Sequence, residues 1–181
     1  MKEDKDLEAV RKCLQGEVDA FEPIIVEYQK PVLKLVYRIV RNFEDARDIS
    51  QSVFVKAFAG LSSFDPGYKF FSWLYRIAIN ESLNFVGKRN RRVSPEAAWT
   101  AAVMDPEEEL AAGELNGKIE KAMADLNFRQ RALVTLSADG HSYKEIGLML
   151  DLPEKKVKSK LFSARHKLRE ILEQNGWPAH D

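Results

Sequence analysis

The sequence predicts an all-α protein of two small helical domains joined by a flexible acidic linker. Three observations predict it. Apolar residues recur at three- and four-residue spacing through most of the 181 residues, and no alternating run of useful length argues for a strand. Residues 93–117 carry six acids and no Lys or Arg, with two prolines, two glycines and many alanines, a composition that supports no core of its own. On either side the balance reverses: residues 1–92 hold 16 Lys+Arg against 13 Asp+Glu, and residues 118–181 hold 12 against 9, so the formal net charge of zero hides two basic segments around an acidic one. An apolar fraction of 45% suffices for folded cores.

The elements follow in order. Leu7, Val10 and Leu14, then Phe21, Ile25 and Tyr28, mark an initial pair of helices with Gly16 loosening the join. Pro31 is expected to start the next helix, lined by Val32, Leu35, Val36, Ile39 and Val40. Asn42-Phe-Glu-Asp breaks that helix, and Glu44 or Asp45 is expected to cap another through Ile49, Val53, Phe54, Ala57 and Phe58. Ser62 to Tyr68 carries strong turn signals around Asp65-Pro-Gly. A helix from about Phe70 to Gly87 is expected to turn Phe71, Leu74, Ala78 and Phe85 to a core. Within the linker, Pro106-Glu-Glu-Glu can open the helix that leads into the second domain.

The most specific pattern lies near the carboxy terminus. Ile146, Met149 and Leu150 recur at helical spacing before a tight break, and Val157, Leu161, Ala164 and Leu168 recur after it, which is a helix-turn-helix pattern. Asp151 stands where the chain must reverse, a place for the left-handed conformation, and Pro153 suits the first turn of the second helix. From Pro153 to Arg169 there are seven cations, Lys155, Lys156, Lys158, Lys160, Arg165, Lys167 and Arg169, against the single acid Glu154. That density suits a phosphate backbone.

A second face speaks of nucleic acid. Lys69, Trp73, Arg76, Asn80, Asn84 and Lys88 share one side of the predicted helix and end in Lys88-Arg-Asn-Arg-Arg92, where Lys88, Arg89, Arg91 and Arg92 place four cations in five residues. Cations hold phosphates, amides reach base edges and an aromatic surface receives an unstacked base, the combination that holds single strands. Trp73 also fits a core or boundary position, and Asn80 and Asn84 also fit an ordinary surface.

Catalytic signatures are missing from the sequence. It has no phosphate-binding glycine loop and no HExxH, and His141, His166 and His180 lie in no ligand spacing, so neither a cofactor nor a metal is expected and the reading is of a binding protein rather than an enzyme. Asp45 with Asp48 is the one nearby acid pair that an enzyme reading could use. Cys13 is the only cysteine and sits in an amphipathic pattern, which reads as a structural thiol. No stretch of about 20 apolar residues and no apolar signal region occur, so the expectation is a cytoplasmic protein without membrane insertion.

Two motif sets carry a family resemblance. Asp45-Ala-Arg-Asp-Ile-Ser-Gln-Ser-Val-Phe54 with Phe71-Ser-Trp-Leu-Tyr-Arg-Ile-Ala78 resembles the second conserved region of bacterial sigma factors of the extracytoplasmic-function group. Leu126 to Leu133, Ser142 to Gly147 and Lys156 to Leu161 resemble their fourth region. The resemblance implies a sigma region 2-like domain at 1–92, the linker at 93–117 and a region 4-like domain at 118–181. It implies that Asp45, Asp48 and Gln51, with Phe54 packing inside, dock on core RNA polymerase. Trp73, Arg76 and Asn80, extended by Lys69, Asn84, Lys88, Arg89, Arg91 and Arg92, would then read the opened −10 strand of promoter DNA. Lys155, Lys156, Lys158, Ser159 and Lys160, with Ser163 and Arg165, would read the −35 duplex, and the acidic linker would run through the polymerase's RNA path. An anti-sigma factor is the further partner the resemblance implies. The sequence departs from the family at Ser52, where Glu is usual, at Arg47 within an acidic motif, and at Lys160, which replaces a frequent Arg. The alternative is a stand-alone helix-turn-helix regulator, which leaves Asp45 to Phe54 and the Trp73 helix without a role.

Overall fold

The computed structural model describes residues 2–92 and 114–176, giving only the backbone path of residue 2, 89–92 and 114–118. The predicted linker, including Pro106-Glu-Glu-Glu, falls mostly outside the described residues. Among those residues the structure is helical and without strands. The first set of helices is α1 (Lys2–Leu14), α2 (Glu22–Val40), α3 (Phe43–Ala59) and α4 (Phe70–Arg92), with short 3-10 turns at Val18–Phe21 and Leu61–Ser63. The second set is α5 (Glu114–Ala124), α6 (Phe128–Ala138), α7 (Tyr143–Leu150) and α8 (Glu154–Gln174).

α2, α3 and α4 pack on one another, and α1 touches α2 and α4. The floor of this bundle is Val32, Leu35, Val36, Ile39, Val53, Leu74, Ala78 and Ile79, each almost fully buried. α1 is fastened by Val10 and by a buried hydrogen bond in which Tyr28 Oη donates to Asp6 Oδ2 at 2.6 Å. Burial first, and then the Asp6 carboxylate, push the Tyr28 phenol well above its usual range, so it stays a donor. Cys13, also on α1, is half-buried against the core, and burial raises its thiol.

Several expectations are corrected. Pro31 lies inside one continuous α2 rather than at a helix start. Its ring is exposed, and the stripe Ile24, Tyr28, Val32, Leu35 and Ile39 is buried on both sides of it, so packing overrides a local penalty of about 3 kcal/mol. Leu14 is 55% and Ile25 37% exposed, and Val10 and Ile24 are the residues turned inward. Asn42, not Glu44 or Asp45, caps α3: its Oδ1 accepts from Asp45 N–H at 2.9 Å. In α4 the buried line is Phe70, Leu74, Ala78, Ser82 and Val86, and Phe71 and Phe85 are half-buried beside it. The predicted core residues Leu74 and Ala78 are buried as expected.

In the second set, Asn127 and Gln130 form a capping box at the start of α6, and Ser142 and Glu145 form another at α7. α6 lies on α2, and α7 lies on α4. The two sets therefore meet directly.

Candidate nucleic-acid and polymerase interfaces

The helix-turn-helix is built by three local devices. Asp151 ends α7 in the left-handed region at φ 55°, ψ 50°, as its position predicts. Leu152 N–H then donates to Gly147 O at 2.9 Å. A Cβ on Gly147 would lie 2.6 Å from Leu152 O, so the close approach of the turn requires glycine there. Pro153 takes the N-cap position just before α8 rather than its first turn.

Beyond the turn, α8 separates its faces. Val157 and Leu161 are buried in one core with Ile146 and Met149, Ala164 is buried as well, and burial of a Leu of this kind stabilises by about 1.5–3 kcal/mol. Lys155, Lys156, Lys158, Ser159, Lys160, Ser163 and Arg165 are all exposed. Ser159 Oγ donates to Lys156 O at 3.2 Å and Ser163 Oγ to Ser159 O at 3.1 Å, which leaves their lone pairs outward. An Arg165 nitrogen donates to Ser137 Oγ at 2.7 Å, tying the helix to α6. Sequence reasoning missed Phe162, which is 72% exposed among these cations. The signal was available: the stripe 157, 161, 164 leaves position 162 on the outer side.

Arg76, Asn80, Asn84 and Lys88 of α4 are exposed, as is Lys69 just before the helix. The side chains of Arg89, Arg91 and Arg92 lie outside the described residues. Trp73 is half-buried, its ring 5.4 Å from Phe64 and 5.5 Å from Phe70, so one side belongs to the boundary of the core. The loop before the helix turns on Asp65, whose Oδ1 accepts from Gly67 N–H at 2.8 Å.

The residues expected to dock on polymerase sit on α3. Asp48 and Gln51 are exposed one turn apart and Asp45 is half-buried. Phe54 is 9% exposed and forms the floor under this face, consistent with a packing role. Arg47 is exposed, and a Lys56–Glu81 ion pair joins α3 to α4.

Four charge pairs among the described residues join the two sets of helices. Arg38 meets Asp139 at 2.9 Å, Lys69 meets Glu145 at 3.2 Å, Arg76 meets Asp151 at 3.4 Å, and Arg41 pairs with Glu120. In these four the cation belongs to the first set and the acid to the second. Between these pairs the His141 ring stacks on Phe71 at 5.5 Å and meets Tyr75 edge-on at 5.7 Å. Burial pushes the Tyr75 phenol up to about 12. Glu145 is held below the usual carboxylate range, chiefly by Ser142 N–H and then by the Ser142 hydroxyl and Lys69. Its contribution to the α7 cap is thus present above the ordinary value of 4.5 and is lost only as pH falls through the lowered one. Burial, with Arg41 nearby, lowers the Arg131 guanidinium to about 10.

A helix-turn-helix with a basic outer helix, joined to a second helical bundle, is the build of a DNA-binding transcription factor. The family model of sigma-70 region 2 matches residues 24–92, and that of sigma-70 region 4 matches residues 116–168. The ECF RNA polymerase sigma-E factor of Escherichia coli K12 is 32% identical over 171 residues, covering 86% of this chain and 88% of its own length. The ECF RNA polymerase sigma factor SigW of Bacillus subtilis is 31% identical over 176 residues, covering 90% of this chain and 94% of its own. The RNA polymerase sigma-H factor of Pseudomonas aeruginosa is 29% identical over 185 residues, covering 94% and 95%. Two solved structures share the fold: CnrH in complex with the cytosolic domain of CnrY, at TM-score 0.70 and 21% identity over 95% of this chain and 99% of that one, and RpoE in complex with the anti-sigma factor NepR from Bartonella quintana, at TM-score 0.71 and 24% identity over 86% and 98%. The chain belongs to the extracytoplasmic-function sigma factors of the sigma-70 family. It is a promoter-specific transcription initiation factor that works with RNA polymerase. The stand-alone regulator is not favoured, because the region 2 match covers the very segment that reading leaves idle.

Proposed function

We propose the following division of labour for this sigma factor. Residues 1–92 form the unit that docks on core polymerase through Asp45, Asp48 and Gln51 over the Phe54 floor. The same unit holds the opened −10 strand along Lys69, Trp73, Arg76, Asn80, Asn84, Lys88, Arg89, Arg91 and Arg92. Residues 118–181 clamp the −35 duplex with Lys155, Lys156, Lys158, Ser159, Lys160, Ser163 and Arg165, and 93–117 is the acidic connection between them. Phe162 adds an apolar tip suited to a thymine methyl group in the major groove. The observation that carries this reading is the clean separation on α8, with an apolar face beneath and every predicted contact residue outward.

No catalytic step falls to this chain. Strand opening needs base unstacking, a cost of a few kcal/mol that capture of flipped bases offsets. Among the described residues there is no cluster of His, Cys, Asp or Glu that could hold a metal ion. The protein acts in the cytoplasm; no helix among the described residues is long and apolar enough to cross a membrane. An anti-sigma factor holds it inactive, a reading supported by the CnrY and NepR complexes of its structural relatives.

The test is run-off transcription with purified core RNA polymerase and fragmented genomic DNA. Discrete starts that share two upstream motifs support the assignment. Starts without a shared −35 motif, or starts unaffected by Lys158→Glu, would remove α8 from promoter reading.

A further inference from the structure

We propose that Ser137 is a further DNA-contact residue, its hydroxyl and the Arg165 guanidinium together clamping one backbone phosphate of the −35 duplex at the seam between α6 and α8. The proposal rests on the assignment of α8 as the helix that reads that duplex.

The hydrogen bonds carry it. An Arg165 nitrogen donates to Ser137 Oγ at 2.7 Å, joining residues 28 apart in the chain. A hydroxyl that accepts in this way keeps its own proton to donate, and no acceptor for that proton is found among the described residues. The guanidinium has five N–H donors in a planar fork, and this contact uses one of them. The pair therefore presents several donors and a whole positive charge to one side. That is the complement of a phosphate group.

Charge sets Arg165 apart from its neighbours. His166 lies 3.4 Å from Glu170 and Arg169 lies 2.9 Å from Glu173, each acid one turn further along α8. Arg165 meets no acid among the described residues and leans on a neutral oxygen instead, so its charge is left for an anion from outside. Asp139, the acid nearest Ser137 in sequence, is taken up by Arg38 at 2.9 Å.

Position agrees with this chemistry. Lys158 and Arg165 lie on one line of α8, about two turns and about 10 Å apart. A recognition helix puts its first turns into the major groove, so a cation that much further along reaches the groove wall, where the phosphates stand. Ser137 belongs to the last turn of α6, which is closed by Asp139 N–H on Thr135 O and by Gly140 N–H on Ser137 O at 3.2 Å. It is half-buried while Arg165 is exposed, so the hydroxyl is a fixed point against which the longer side chain is set.

The experiment measures binding of the full chain to two unrelated DNA duplexes of about 20 base pairs, two helical turns each, by fluorescence anisotropy over a series of salt concentrations. The parent is compared with Ser137→Ala, Ser137→Thr, Arg165→Gln, the Ser137→Ala/Arg165→Gln double variant and Lys158→Glu, and thermal melting is recorded for each. Arg165→Gln should lose about tenfold on both duplexes and lower the salt slope by about one. Ser137→Ala should lose about threefold on both, Ser137→Thr should regain it, and the double variant should be no weaker than Arg165→Gln alone. Ser137→Ala that melts lower but binds as the parent makes the contact a brace between helices and overturns the clamp. A loss confined to one duplex makes Arg165 a base reader, and a double variant that adds both losses in full shows two separate contacts; either result overturns the joint clamp. If Lys158→Glu weakens binding while Ser137→Ala and Arg165→Gln do not, the clamp alone falls. If Lys158→Glu also binds as the parent does, α8 holds no duplex and the reading beneath the proposal falls with it.

Discussion

The outer face of α8 and the stripe on α4 carry similar chemistry and are held differently. On α8, Lys155, Lys156, Lys158 and Lys160 point outward over a buried apolar floor and meet no acid among the described residues. On α4 and just before it, Arg76 and Lys69 are each engaged by an acid of the neighbouring helices. A face of the first kind loses affinity steadily as salt rises, because each phosphate contact releases counterions. A face of the second kind has two opposed responses, since salt weakens its hold on DNA and also loosens the acids that cover it.

The largest expected effect comes from the turn that sets α8 in place. Gly147→Ala should cost about 3 kcal/mol of stability, because its Cβ would press on a backbone oxygen that has no room to move. Thermal denaturation measures this, and an unchanged midpoint would mean that the turn relaxes freely. Lys158→Glu comes next, weakening duplex promoter binding by about 2 kcal/mol with polymerase association intact. Asp48→Arg should do the reverse, by a similar amount of about 2 kcal/mol, in polymerase titrations; loss of both activities in either variant would show that the two faces are not separate. Phe162→Ala should cost about 1 kcal/mol of duplex binding and shift base preference without changing the salt slope. Its melting temperature should match the parent, since the side chain is 72% exposed. The smallest effect is a gain: Asp151→Gly should relieve the left-handed turn by about 0.5 kcal/mol in chemical denaturation. No gain there would mean that the Arg76 contact matches the strain.

The two regions were also unequally legible. α8 is plain in the sequence because a single apolar stripe, 157, 161 and 164, decides its orientation, and Asp151 with Pro153 marks the break. α4 is harder because Phe70, Phe71 and Trp73 are all aromatic, and neighbours on a helix differ by about 100° in direction, so spacing alone does not say which is inward. Pro31 misleads for a related reason. Its local signature is that of a helix start, and only the apolar line that continues past it shows that packing carries the helix through. Asn42 and Asp45 are both good caps, and choosing between them takes backbone geometry. The meeting of α7 with α4 has no periodic signal at all: Glu145 and Lys69 are distant in sequence, and each is an ordinary surface charge until the fold joins them.

Cys13 gives the molecule a built-in reporter. It is the only thiol in the chain, it is half-buried where α1 meets the bundle, and burial disfavours its thiolate. A maleimide or disulfide reagent will therefore react more slowly while α1 is seated on the core, and its rate will rise as α1 lifts away. The unaltered protein can thus be clocked, on or off the polymerase, by reagent kinetics alone.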